Sequence, residues 1–311
     1  MAKFYFPRPK TVLTTTLAAA LIIELAGCST QKFTLDSAEK SAAKGNPKAL
    51  YFLAKSYAKG NGVPHDDVKA GEYMRQAAER GFAFAQQDLG AMYSTETGVK
   101  KNQAEAIRWI RRAAESGDSL AQLSMGLVYF EGRGVEKNIS QSIYWYKKAA
   151  KQKQPEALLA LGQIYMDGDD GVRADWNESL KWFQEAVKAG RVDALNSVGV
   201  IYEEGHNGVK QDLPLAVKCF REASTQGVAK SQMNLGRMYM NGSDMEEDYV
   251  EAYKWFWIAS RNGDGVANHY LLELEGSSPI SKHLVTSEQI AEAKRRADVW
   301  NNSYKTKSGK K

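Results

Sequence analysis

Small residues, large apolar residues and aromatics recur at helical spacing along most of this chain, and one arrangement of them returns six times. The third copy reads Ala121-Gln122-Leu123-Ser124-Met125-Gly126-Leu127-Val128-Tyr129, then Gly132-Arg133-Gly134-Val135, then Ser142, Trp145, Tyr146, Ala149 and Ala150. Ala, a large apolar residue four positions on, Gly and Tyr share one face of a helix with 3.6 residues per turn. The tyrosine recurs at Tyr57, Tyr93, Tyr129, Tyr165, Tyr202 and Tyr239, in steps of 36, 36, 36, 37 and 37 residues. A second aromatic recurs at Tyr73, Trp109, Trp145, Trp182 and Trp255, with Cys219 in its place in the fifth unit. A fixed period of this length predicts a solenoid of stacked helical hairpins.

The units run roughly 47–81, 83–117, 119–153, 155–190, 192–227 and 229–263, within a solenoid spanning 47–275. In each, a first helix ends at a glycine turn such as Gly60-Asn61-Gly62-Val63 or Gly132-Arg133-Gly134-Val135. Glycine supplies the left-handed dihedrals that reverse the chain. Asp66, Asn102, Asn138, Asp175, Asp212 and Asp248 then stand where the second helix needs an N-cap; loss of such a cap costs about 1 kcal/mol. The second helix closes at Gly81, Gly117, Gly190, Gly227 and Gly263, with Lys153 breaking the pattern in unit three. Gly90, Gly126, Gly162, Gly199 and Gly236 fall inside first helices, at a penalty of roughly 0.5–1 kcal/mol each against alanine, and are expected to mark close helix crossings. Helices of 10–14 residues are marginal alone, so the stability must come from stacking.

Residues 34–46 match only the second half of a unit and predict an N-terminal cap. At the other end, residues 276–301 hold a capping box of Thr286 with Gln289 and a helix from about 287 to 301, leaving 302–311 as a basic tail. The face formed by Ile290, Ala293, Ala297 and Trp300 is expected to cover the last exposed edge.

The run Ala-x-x-x-Leu-Gly-x-x-Tyr, Gly-x-Gly-Val, x-x-Asp/Asn and Ala-x-x-Trp-Tyr-x-x-Ala-Ala-x-x-Gly resembles the Sel-one-like repeat, a relative of the tetratricopeptide solenoids. The resemblance spans about 220 residues. It departs at Ala54 (for glycine), at the single-glycine turn Thr95-Glu96-Thr97-Gly98, at Lys153 and Cys219, and at the missing Gly-Val of unit six. It implies an all-α fold, a right-handed α-α superhelical solenoid of six repeats with N- and C-terminal capping helices. It also implies a non-catalytic adaptor role; lipoproteins resembling this chain serve as scaffolds of the cell envelope.

The first 27 residues change the picture of where such an adaptor would work. Lys3, Arg8 and Lys10 precede a short apolar run, Thr11 to Ile23, and Leu25-Ala26-Gly27-Cys28 closes the segment. That layout reads as a secretory signal too short to span a bilayer, and its ending resembles a bacterial lipobox. Cys28 would then be the lipidated residue, with 28–33 as a tether. Several acyl chains hold a protein on a membrane at about 0.8 kcal/mol per buried CH₂. Ser29 follows instead of aspartate, and by resemblance the expected address is the outer membrane of a bacterium, with the body in the periplasm.

Charge adds little. The chain carries 42 basic and 37 acidic side chains; without residues 1–27 these fall to 39 and 36, a net of +3. That balance gives no case for nucleic acid. With Cys28 taken by lipid, Cys219 has no partner cysteine left and reads as a small buried apolar residue.

Little catalytic chemistry is legible. Ser37-Ala38-Glu39-Lys40 and Ser41-Ala42-Ala43-Lys44 fit Ser-x-x-Lys, the nucleophile pattern of a cell-wall or β-lactam hydrolase, but no Ser-Asp-Asn or Lys-Thr-Gly accompanies them. His65, His206, His269 and His283 lack metal-ligand spacing, and the acidic runs at 167–170 and 244–248 lack the ligand spacing of a calcium loop. No cofactor or metal is expected. What remains is the face of the first helices not used for packing, the inner groove of such a solenoid. It comprises Tyr51, Lys55, Gln87, Ala91, Leu123, Leu127, Phe130, Leu159, Gln163, Met166, Asn196, Val200, Glu203, Met233, Arg237 and Met240. An apolar strip with a polar rim suits an extended peptide or helix of a protein partner in the envelope. Tight winding that buries the same residues explains the pattern equally well. A scaffold for polysaccharide or peptidoglycan would need exposed aromatic platforms, which the repeats do not supply.

Overall fold

The computed structural model describes residues 33–308 apart from 207, 244–245 and 277–283. The leader, Cys28, the tether residues 29–32, His283 and the lysines at 310–311 lie outside the described residues. A short α1 (Leu35–Ala43) precedes six hairpins: α2 (Pro47–Lys59) with α3 (Asp67–Glu79), α4 (Ala83–Thr95) with α5 (Gln103–Glu115), and α6 (Ser119–Glu131) with α7 (Ile139–Lys151). Then come α8 (Pro155–Asp167) with α9 (Trp176–Lys188), α10 (Ala194–Glu204) with α11 (Leu213–Thr225), and α12 (Ala229–Met240) with α13 (Tyr249–Arg261). Finally α14 (Ala267–Leu274) and α15 (Ser287–Ser308) close the series. Each second helix packs on the first helix of the next unit, which makes an all-α solenoid.

One clasp builds every hairpin. The six predicted N-caps each accept a hydrogen bond from the amide three residues on, at 2.9–3.1 Å. The backbone amide of the same residue donates to the carbonyl of the repeated tyrosine: Asp66 to Tyr57, Asn102 to Tyr93, Asn138 to Tyr129, Asp175 to Tyr165, Asp212 to Tyr202 and Asp248 to Tyr239, at 2.7–3.1 Å. One residue thus starts the second helix and fixes the first helix's end against it.

The glycines inside the first helices meet side chains of the second. A Cβ on Gly126 would lie 2.4 Å from the Tyr146 ring; on Gly162, Gly199 and Gly236 it would meet Phe183, Phe220 and Phe256 at 2.6–2.8 Å, and on Gly90 the Ile110 side chain at 2.5 Å. The crossings are therefore close, as expected, but mostly ring against backbone. Ser142 and Ser179 seal two of them by donating to the carbonyls of Gly126 and Gly162, at 2.8 and 2.7 Å.

Two departures from the glycine pattern keep its geometry. Glu96 (φ 62°) and Lys153 (φ 60°) hold the left-handed conformation without glycine. The alanine pairs at 77–78, 113–114 and 149–150 are buried, as are Trp109, Trp145, Trp255 and Cys219, so the second-helix aromatics are core; Trp182 is half-buried.

The C-terminal helix runs through Ser308, further than the 301 expected from the sequence. Its Ala293 and Ala297 are fully buried. The helix lies against α13, with Trp300 edge-on to Trp255 and Arg296 Nη1 2.9 Å from Glu251. Tyr304 stacks on Trp300, and its hydroxyl donates to the Gln226 carbonyl at 3.0 Å. The backbone of 302–308 is thus helix, tied down through Tyr304, and α15 covers α13 and reaches back to unit five. Leu272 on α14 stays half exposed at the solenoid's end.

Candidate functional site

The stacking brings the first helices side by side, and those of units three and four touch. Polar groove residues pair across units. The Tyr51 hydroxyl and Lys55 Nζ both donate to Asp88 Oδ2 at 3.0 Å. The Asn196 side-chain oxygen accepts from Ser231 and Asn234 at 3.1 and 2.9 Å. Arg237 donates to Glu203 at 2.7 Å, while burial pushes the Glu203 carboxyl above its ordinary value and Arg237 opposes that rise. Asp88, Ser231 and Asn234 were not singled out from the sequence. The signal was a partner 33–38 residues away, one repeat along.

Among the apolar positions, Leu123, Phe130, Leu159 and Met166 are half-buried and pack against one core cluster spanning units three to five. Leu127 is only 7% exposed. It is a core residue, buried by the winding, and is not available as a groove contact. Met233 and Met240 pack on the separate C-terminal cluster and Tyr51 on the N-terminal one. The structure thus joins the middle of the groove into one half-buried apolar stretch, bounded by polar rungs at both ends. In that middle lies a cavity of about 60 Å³ between α6, α7 and α8, lined by Phe130, Tyr146, Ala160, Gln163, Ile164, Asp167, Gly168 and Asp169.

Other candidate chemistry resolves into structure. The Ser37 hydroxyl donates to the Thr34 carbonyl and accepts from the Thr34 amide, both at 2.9 Å, as part of the α1 cap. Lys137 Nζ sits 2.9 Å from Asp169 and 2.8 Å from Asp170, which neutralises part of that acidic run. Burial pushes the Cys219 thiol up to about 11. Among the described residues no group of three or more His, Cys, Asp or Glu side chains could hold a metal ion, and no helix is long and apolar enough to cross a membrane.

The Sel1 repeat model matches residues 47–82, 83–118, 119–153, 155–190, 192–228 and 229–264. The chain belongs to the Sel1-repeat family. Sel1-repeat proteins are in general protein-interaction scaffolds, and the paired rungs and shared inner face described above are of that kind. Among solved structures the chain is similar to c5321, a protective antigen of uropathogenic Escherichia coli strains displaying this repeat fold, with 28% identity and a TM-score of 0.71 over 88% of this chain. It spans 57% of that protein's length. A Sel1 repeat protein from Oxalobacter formigenes is 29% identical with a TM-score of 0.58, covering 73% of this chain and 88% of its own. No curated protein matches the chain.

Proposed function

We propose that this Sel1-repeat chain is a non-catalytic, lipid-anchored adaptor of the bacterial envelope that holds a segment of a partner protein along the inner face of its first helices. The observation that carries the reading is the half-buried stretch of Leu123, Phe130, Leu159 and Met166, continuous over two units and flanked by the Lys55–Asp88 and Arg237–Glu203 pairs. Side chains left half open at the centre of a face gain from a partner's apolar surface, and the polar rungs set its register. The anchor rests on Leu25-Ala26-Gly27-Cys28: acyl chains on Cys28 would keep the body at the outer membrane, facing the periplasm. The adaptor takes a protein segment and no cofactor or nucleic acid.

The experiment compares partner co-purification from cell envelopes by the unaltered chain, by Phe130→Asp with Leu159→Asp, and by Tyr144→Asp. Tyr144 is a control because it is 48% exposed on a second helix. Loss in the double variant alone, at unchanged helicity, is expected; equal retention by all three rejects the groove. Cys28→Ser should move the protein from the membrane to the soluble fraction, and a membrane-bound serine variant rejects the anchor.

A further inference from the structure

The two faces of the solenoid carry opposite charge. First helices α4, α6, α8 and α10 hold six carboxylate side chains and no lysine or arginine, whereas second helices α5, α7, α9 and α11 hold ten basic and five acidic ones. The excess is concentrated on α5 and α7: from Lys137 to Pro155 the chain has five lysines and no acid. Arg111 and Lys147 stand one repeat of 36 residues apart, as do Arg112 and Lys148, so the two helices present them in the same register. Arg111 donates to the Tyr129 hydroxyl at 2.8 Å, and the Lys147 ammonium lies 5.3 Å over the Tyr165 ring. Arg112 lies 5.0 Å over Trp109, and Lys148 4.7 Å over Tyr144. A ring orients a cation without neutralising it. Arg108 on the same helix is paired with Glu105, but among the described residues no carboxylate pairs with these four cations or with Lys151. Tyr144, 48% exposed in their midst, adds an aromatic with a polar tip. Cations interleaved with such a ring suit the headgroup level of a bilayer.

The N-terminal segment says which surface is at hand. Six residues, 29–34, separate Cys28 from α1. At full stretch they span about 20 Å, roughly two helix diameters. Acyl chains on Cys28 would therefore hold the solenoid beside the bilayer, and the face it turns there depends on charge. An anionic headgroup layer attracts the second-helix face and repels the carboxylates of the first helices. We propose that the basic face of α5 and α7 rests on an anionic lipid surface and so turns the first-helix groove away from the membrane, toward its partner. The inference rests on the anchor reading above and adds an orientation to it.

The full chain, purified from membranes, is mixed with vesicles of phosphatidylcholine alone or with about one third phosphatidylglycerol. Flotation on the neutral vesicles reports the anchor; an amine-reactive label read by mass spectrometry reports the face. On the anionic vesicles Lys147, Lys148 and Lys151 should be labelled at least about threefold more slowly than on the neutral ones. Lys59 and Lys230, exposed on α2 and α12, should keep their rates. High salt should abolish the difference by screening. Arg112→Glu with Lys151→Glu, both at exposed positions, should end the protection of Lys147 and Lys148 at unchanged helicity. Lys59→Glu with Lys230→Glu makes the same change in net charge and should preserve it. Flotation on both vesicles with equal labelling overturns the face and leaves the anchor. Flotation on the anionic vesicles alone, with the lysines protected, rejects the anchor and keeps the face; flotation on neither rejects both. Protection in intact cells but not on anionic vesicles gives the face to an acidic protein and overturns the proposal.

Discussion

Replacing Gly126 with alanine sets two effects of opposite sign against each other. Gly126 lies within α6, where alanine is the better helix former by about 0.5–1 kcal/mol. Judged on propensity, the variant should be more stable. The added Cβ, however, would stand 2.4 Å from both Cδ1 and Cε1 of Tyr146 and 2.9 Å from Cγ. Carbon atoms rest at about 3.5–4.0 Å, so ring or helix must retreat by more than an ångström. Tyr146 is fully buried, and the Ser142 hydroxyl pins the Gly126 carbonyl to α7 at 2.8 Å, so neither side moves freely. Overpacking of this kind costs about 1–3 kcal/mol, which outweighs the propensity gain and leaves a net loss of about 1–2 kcal/mol. At roughly 2–4 °C per kcal/mol for a chain of this size, the melting midpoint should fall by about 3–6 °C in thermal circular dichroism. Because a solenoid need not melt as one unit, hydrogen exchange should locate the loss in α6 to α8. In a Tyr146→Leu background the ring clash disappears, and the same alanine should become neutral or stabilising. A Gly126→Ala protein that melts at or above the unaltered midpoint refutes the crossing argument.

Three further outcomes follow from individual contacts. Gln122 and Gln232 accept through their side-chain oxygens from Gln152 and Asn262, thirty residues later, at 2.9 Å; the matching position for Gln86, whose oxygen is buried and unpartnered, is occupied by the short Ser116. Ser116→Gln should supply the missing donor and raise stability by about 1 kcal/mol in chemical denaturation, and no gain argues against a repeated rung. Lys153 holds φ 60°, a conformation that costs a side chain about 1–2 kcal/mol; after the extra freedom of the unfolded glycine is subtracted, Lys153→Gly should stabilise by about 0.5–1 kcal/mol, and a destabilised variant would contradict this. With its thiol pushed up to about 11 by burial, Cys219 should resist a thiol-exchange reagent at pH 8 and react only on unfolding; rapid native labelling would place it outside the core.

How far the sequence could be read depends on whether one residue or a pair decides the feature. The unit boundaries, N-caps and crossing glycines are each set by a single residue type at a fixed place, so the period exposed them. The clasp between each N-cap amide and the repeated tyrosine carbonyl was hidden because backbone groups leave no compositional trace. Asp88, Ser231 and Asn234 escaped notice because their roles depend on how neighbouring first helices are rotated. Leu127 belongs to the same class: its spacing matches the groove, yet the winding turns it inward to 7% exposure. The reach of α15 past 301 was obscured by lysines, although Tyr304 among them docks on Gln226. The cavity was least legible, since it is space left by Ala160 and Gly168 beside an aromatic from another helix.

The central claim is that the first-helix face, and not the second-helix face, meets the partner. Photoreactive phenylalanine analogues placed singly at Phe130, Met166, Val68 and Tyr144 in living cells test it most directly. Val68 and Tyr144 are 62% and 48% exposed on second helices and report the opposite surface. The account predicts one discrete protein adduct from 130 and 166 and none from 68 or 144; adducts from the second-helix positions alone would contradict it.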